Sequence, residues 1–142
     1  MAFRLSVNPP AIIRIRSDRG GKGKARVLYV TLPVNHPPHL LPHELHHVKQ
    51  WWVTTAVCGS VLGGLAHFVP AVPYEVAGLS VGVFGALYFT SKSFRFWAEV
   101  GAYRVSASVQ PKRIGAFAKM LYEYNTGHTL AQCRKAIEES KK

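Results

Sequence analysis

Acidic residues are scarce in this chain of 142 residues. Asp and Glu together number 7 against 18 Lys and Arg, which gives a formal net charge of +11. The hydrophobic fraction of 48% excludes a disordered chain, because such chains are too polar to offset the entropy lost on ordering. The composition also excludes a collagen-like or low-complexity fibre. A mechanism that needs a carboxylate must therefore use one of Asp18, Glu44, Glu75, Glu99, Glu123, Glu138 and Glu139.

Cysteine is rarer still, and the two cysteines lie far apart in the sequence. Cys58 and Cys133 form no CxxC pair, which argues against a disulfide framework and against a cysteine zinc site. The first ten residues contain no apolar run of the length that a secretory signal needs. We therefore expect two ordinary thiols in a protein of a reducing compartment.

No apolar run reaches the ~20 residues of a membrane-spanning helix. Two stretches of 14 residues, Val53–Ala66 and Val76–Phe89, lie in a region without Lys or Arg between Lys49 and Lys92. Glu75 is the only acid of that region. The pattern predicts an apolar helical hairpin. This hairpin is either buried in the fold or inserted in a membrane with both basic flanks on the cytoplasmic side.

Two segments near the N-terminus have the pattern of strands. Ala11–Arg16 alternates and is rich in β-branched residues, and Arg26–Leu32 forms a second such run. Asp18–Gly23 between them has the composition of a turn. We predict that the two segments pair as an antiparallel hairpin.

The rest of the chain has the pattern of helices. One helix is expected from near Leu41 to Trp52, and the glycines that follow leave its continuation into the apolar region open. Further helices are predicted over Ser91–Val109, Arg113–Tyr124 and Leu130–Glu138, the last with Thr129 as its N-cap. These elements predict an α+β fold in a single domain, 1–142. Its parts are a basic β-hairpin and loop (1–38), a first helix (39–52), the apolar hairpin (53–90) and C-terminal helices (91–142).

The chemistry-bearing motif lies on the first predicted helix. His43, Glu44 and His47 match the pattern HExxH, and residues four apart on a helix share one face. The two imidazoles can then bind one Zn²⁺, while Glu44 lies beside the ion and can accept a proton from the attacking water. His46 points away from this face. A histidine-rich surface helix is the alternative interpretation.

The search for a third ligand is short, because few acids remain. Glu99 is the choice, because it lies in the middle of a predicted helix among apolar residues, where an unpaired carboxylate is costly. A His₂Glu set leaves one position open for water and substrate, as catalytic zinc sites require. The alternatives are a structural ion pair of Glu99 with an arginine, and His36 or His39 as the third ligand.

Tyr103 lies four residues after Glu99 and therefore on the same helix face. Its hydroxyl is placed to stabilise an oxyanion or to hold a ligand, which makes it a catalytic candidate beside Glu44. A tyrosine of the hydrophobic core is an equally good interpretation.

Two segments, HELHHVKQWW and FRFWAEVGAYR, resemble the small phage-encoded zinc-metallopeptidase-like proteins. The pattern of that family is HExxHxxQ, then a helix with E-x-E-A-Y-R, then a short helical segment. The resemblance implies a reduced gluzincin core with His43, His47 and Glu99 as ligands and Glu44 as general base. It also implies a location in the host-cell cytoplasm or in a virion. Gly101 departs from the pattern, because it replaces the second glutamate.

Three functions are compatible with these features. The first is a zinc-dependent metallopeptidase-like hydrolase that acts on a peptide or protein, held along the edge of the β-hairpin. The second is a non-catalytic virion component that retains the fold and contacts other virion proteins. The third is a basic module that contacts nucleic acid without sequence specificity, or an anionic membrane, with membrane contact through 53–90. Its basic cluster comprises Arg14, Arg16, Arg19, Lys22, Lys24 and Arg26.

Overall fold

The fold is α+β, as the sequence predicts. The computed structural model describes residues 2–16, 23–26, 28–69 and 71–139. Within these residues a mixed sheet of four strands is followed by a mostly helical body. The strands are β1 (Ala2–Val7), β2 (Pro10–Arg16), β3 (Lys24–Arg26) and β4 (Tyr29–Pro33).

The order of the strands in the sheet is β1-β2-β4-β3. β2 and β4 are parallel, with Ile13 opposite Val30, so the predicted antiparallel pairing of these two segments is wrong. The chain reverses between β3 and β4, which pair antiparallel, and β4 therefore runs in the same direction as β2. β3 forms an edge of the sheet. Most of the turn predicted over Asp18–Gly23 lies outside the described residues.

Alternating residues of β2 and β4 form a first core against the first helix. Ala11 and Ile13 of β2 and Val30 and Leu32 of β4 are buried together with Val48. The period of two along each strand places these side chains on one face of the sheet. This core holds the first helix against the sheet.

The first helix, α1, extends well beyond the HExxH motif. It spans Leu40–Phe68, 29 residues, and Pro42 lies in its first turn, where a missing N–H costs little. The helix continues through its glycines because a second helical layer packs on it. Gly59 lies directly against Ser80, and the Trp51 indole donates a hydrogen bond to the Val81 carbonyl at 2.9 Å.

That second layer is a 3-10 helix, Tyr74–Leu79, followed by α2, Ser80–Thr90. Residues 53–90 therefore form the predicted helical hairpin, which we call the arm. Of its described residues only Ala66 and Ser80 are buried, so the fold leaves most of the arm's surface uncovered. None of the helices in the described ranges has both the length and the apolar character that crossing a membrane requires.

The C-terminal helices agree with the predicted ones to within about a residue. They are α3 (Lys92–Val109), α4 (Ile114–Glu123) and α5 (Leu130–Glu138). Thr129 is the N-cap of α5 and forms a reciprocal capping box with Gln132. The three helices enclose a second core, which comprises Val100, Tyr103, Ala107, Phe117, Ala118, Leu121, Cys133 and Ile137.

Candidate metal centre

Two packed helices bring the three predicted ligands together. His43 and His47 lie on α1, and Glu99 lies on α3, which packs against it. The distance from Nε2 of His43 to Oε2 of Glu99 is 3.7 Å, and that from Nε2 of His47 to Oε1 is 3.5 Å. Ligands of a tetrahedral ion with bonds of about 2.1 Å lie about 3.4 Å apart. The spacing therefore fits three ligands of one ion, and these residues could hold a metal ion.

Hydrogen bonds on the far side of each imidazole fix its orientation. Nδ1 of His47 lies 3.1 Å from Oε1 of Gln50, an acceptor, so this nitrogen carries the proton. Nδ1 of His43 lies 3.2 Å from Oγ of Ser106, whose own hydroxyl donates to the Ala102 carbonyl. Both rings therefore turn Nε2 toward Glu99, and Nε2 is the nitrogen that each ring would offer to a metal ion.

The carboxylate of Glu99 is the most deeply buried part of the cluster. Glu99 is 1% exposed, and its Oε1 accepts a hydrogen bond from the Tyr88 hydroxyl. Oε2 is buried with no hydrogen-bond partner among the described residues. Among the described residues its ion-pair contacts are with His43 and His47, whereas the alternative interpretation required an arginine. An ion would satisfy this oxygen, since buried polar atoms rarely remain unpaired.

The protonation states of the cluster follow from burial and from the charge and hydrogen bonds of Glu99. Burial, with the charge of His47, lowers the pKa of His43 to about 3, so this ring is neutral. Burial acts in the same direction on His47, but the hydrogen bond and charge of Glu99 outweigh it and raise the pKa of His47. Burial would raise the pKa of Glu99, but the contacts with His47 outweigh it and lower this pKa. Without metal the cluster therefore holds one imidazolium beside one carboxylate.

Glu44 lies next to the cluster and under the edge strand β3. Burial raises the pKa of its carboxyl to about 7, against the opposing charge of His47 and a hydrogen bond from the Ala25 backbone. Gly23 approaches so closely that a Cβ there would lie 2.6 Å from Oε1 of Glu44. A carboxyl with a pKa near neutrality is suited to accept and release a proton.

Three tyrosines border the site, and two of them were not predicted. The ring of Tyr103 lies 4.6 Å from that of His43, and its hydroxyl forms a hydrogen bond with Tyr124. Burial raises the pKa of Tyr88, Tyr103 and Tyr124, so all three hydroxyls remain protonated and can donate. Tyr88 and Tyr124 are absent from both motifs, and no local sequence signal connects them with the site.

Two cavities open from the metal cluster in different directions. One has a volume of ≈ 560 Å³ and an apolar wall made by α1 and α2, and we call it the apolar cleft. Its wall comprises Val48, Trp51, Val81, Phe84, Tyr88 and Phe89. The other has a volume of ≈ 580 Å³ and is lined by more polar residues, among them His39, Tyr103, Arg113 and Tyr124. Because His43 and Glu44 border both cavities, a substrate that crosses the site would pass these two residues.

The remaining candidate histidines have other partners. Nδ1 of His39 lies 2.8 Å from Oε1 of Gln110, and Nδ1 of His36 lies 3.0 Å from the Pro33 carbonyl. His46 lies against Gly101, away from the cluster, as its helix position predicts. In the part of the chain that the structure describes, the group of possible ligands comprises His43, His47 and Glu99.

Comparisons with protein-family models, with curated proteins and with solved structures give no match to this chain. The relation suggested by the two motifs therefore stays a resemblance.

Proposed function

We propose that this chain is a zinc-dependent hydrolase that cleaves peptide bonds. The observation that carries the proposal is the convergence of His43, His47 and Glu99, whose Oε2 is buried and unpartnered, next to Glu44. Two imidazoles and one carboxylate form a donor set typical of catalytic zinc, which keeps its fourth position open.

The protein groups around the ion have separate tasks. When bound, zinc would polarise the substrate carbonyl and favour deprotonation of the attacking water. Glu44, with its raised pKa, accepts the proton of that water and passes it to the leaving nitrogen. The protonated hydroxyl of Tyr103 or Tyr124 donates a hydrogen bond to the oxyanion that develops on the carbonyl oxygen.

The surroundings of the cluster favour an extended peptide with a large apolar side chain. β3 forms an edge of the sheet. Ala25 in β3 and Gly23 just before it line the apolar cleft. A sheet edge binds extended chains through backbone hydrogen bonds, and pockets beside it select side chains. The cleft is large enough for an aromatic residue, and its wall is mainly apolar.

The test combines metal content with hydrolysis of a library of quenched fluorescent peptides. We expect one zinc per chain and hydrolysis by the unmodified protein. Glu44→Gln is expected to retain the zinc and to lower kcat at least about 100-fold, because it removes the proton acceptor. Glu99→Gln should lose the zinc, whereas Glu75→Gln, an exposed residue outside the site, should change neither property.

Two results would contradict the proposal. Absence of zinc from the unmodified protein after refolding in zinc would reject the metal centre. Retained zinc with equal hydrolysis by the unmodified protein and Glu44→Gln would favour a non-catalytic role, such as that of a virion component.

A further inference from the structure

One face of α1 in the arm carries large apolar side chains that nothing in the described structure covers. Val53, Val57, Val61 and Leu65 follow each other at a spacing of four, and Phe68 continues this stripe to the end of the helix. Val57 and Val61 are each 58% exposed, and Phe68 is 81% exposed. Five such residues on one helix face form a contiguous patch, which in soluble proteins indicates a binding surface.

The stripe is not the face that the fold uses. α1 packs on α2 at Gly59, which lies against Ser80, and Ala66 is buried on the same side of the helix. With 100° per residue, these positions lie on the opposite side of α1 from Val57 and Val61. The exposed stripe is therefore additional to the apolar surface that holds the hairpin together.

The basic residues that flank the arm lie at its base. Between Lys49 and Lys92 the chain has no Lys or Arg, and both of these lysines lie exposed at the base of the arm. The indole of Trp97, with 56% exposure, lies five residues beyond Lys92 at the same end, whereas the indole of Trp52 donates to the Pro10 carbonyl and faces the sheet. Tryptophan and lysine at the edge of an apolar surface are typical of proteins that contact the interface of a bilayer.

We propose that the arm docks on an anionic phospholipid bilayer. The stripe on α1 enters the boundary between headgroups and acyl chains, Trp97 lies at headgroup level, and Lys49 and Lys92 contact the lipid phosphates. The net charge of +11 favours this partner over a second copy of the chain, because two copies repel and anionic lipid attracts. The proposal is independent of the hydrolase proposal, since it uses no residue of the metal cluster.

Sedimentation with vesicles tests the docking. We expect the full chain to sediment with vesicles of equal parts phosphatidylcholine and phosphatidylglycerol, less with phosphatidylcholine alone, and less at high salt. The double variant Val57→Gln/Val61→Gln should lower the vesicle affinity about tenfold or more, because two side chains lose their transfer into lipid. The isosteric pair Val57→Thr/Val61→Thr should lower it in the same direction without a change of shape.

The matched control is Ala56→Gln, compared with Val57→Gln alone. Ala56 is exposed on the same helix but lies about 100° or more around the axis from Val57 and Val61, so this variant should bind vesicles like the unmodified chain, whereas Val57→Gln should bind more weakly. Lys49→Gln and Lys92→Gln should each lower binding to the mixed vesicles about fivefold and leave binding to phosphatidylcholine unchanged. Circular dichroism verifies that each variant retains its helices.

Two outcomes would overturn the proposal. One is that the unmodified protein remains in the supernatant with both kinds of vesicle. The other is that sedimentation velocity without lipid shows a dimer which Val57→Gln/Val61→Gln converts to a monomer. The stripe would then be an interface between copies of the chain.

Discussion

At the scale of the residue, the grouping of His43, His47 and Glu99 was predictable and the residues that support it were not. His43 and His47 follow from a spacing of four on a helix, and Glu99 follows from the scarcity of acids. Ser106 contacts His43 and is 63 residues away from it in the sequence. Tyr88 contacts Glu99 and is 11 residues away from it. Only the packing of α1 and α2 on α3 brings them there, and no local pattern encodes that packing.

The glycine that departs from the resembled pattern has a steric reason. A Cβ on Gly101 would lie 2.7 Å from Nε2 of His46 and 2.9 Å from Nε2 of Gln50. Gln50 is buried and donates to the Ala98 carbonyl while it accepts from His47. The amide of Gln50 therefore occupies the space that a side chain at 101 would need.

Replacing this glycine should disturb both the fold and the metal centre. For Gly101→Ala we expect a loss of about 1–3 kcal/mol in the free energy of unfolding, because Gln50 must leave its position. The zinc affinity should fall about tenfold, because His47 loses its orienting acceptor. Urea unfolding and competition with a chelating dye measure the two effects.

The control for this substitution is Gly115→Ala in α4. A Cβ there meets no atom within 4 Å, so the better helix propensity of alanine should stabilise the protein slightly. If Gly101→Ala were as stable as Gly115→Ala and bound zinc normally, the steric account of Gly101 would be wrong.

At the scale of the element, the helices were predictable and the strand pairing was not. The structure confirms α3, α4 and α5, and the side chains of Ser91 and Thr129 cap α3 and α5. β3 is only three residues long and has no alternating pattern, yet its reversal into β4 sets the direction of that strand. The continuation of α1 through its glycines also depended on tertiary contact with α2, which outweighs helix propensity.

The wall that α2 contributes to the apolar cleft allows a test of substrate selection. Gly85 lines the cleft, and a Cβ there meets no atom within 4 Å. Gly85→Leu should therefore fold normally and fill part of the cleft. We expect KM for peptides with a large apolar residue to rise about tenfold, while peptides with alanine at that position are affected less.

Gly63→Leu is the matched control for that substitution. It adds the same side chain to a helical glycine of the arm that has equally open surroundings and lies outside the cleft. A peptide profile that Gly63→Leu and Gly85→Leu change equally would show that the cleft does not select side chains.

At the scale of the whole molecule, the metal centre lies between two separate cores. One core joins the sheet to α1, and the other is enclosed by α3, α4 and α5. The residues that could hold a metal ion come from both sides, since His43 and His47 belong to α1 and Glu99 belongs to α3. A bound ion would therefore connect the two halves of the fold directly.

Removal of the ion should for this reason lower the melting temperature. At a free zinc concentration of about 1,000 times Kd, the stabilisation is about 4 kcal/mol. This corresponds to a fall in Tm of about 10 °C when the metal is removed with EDTA. Scanning calorimetry measures the shift, and Glu99→Gln, which lacks a ligand, should melt at the same temperature with and without EDTA.

α1 has one further consequence, because it is a single helix of 29 residues, about 43 Å long. His47 in its second turn and Phe68 at its end are about 32 Å apart along the same rigid axis. α1 therefore acts as a spacer between the cluster and the end of the arm. A surface that the end of the arm touches would lie about 30 Å from His47 along the helix.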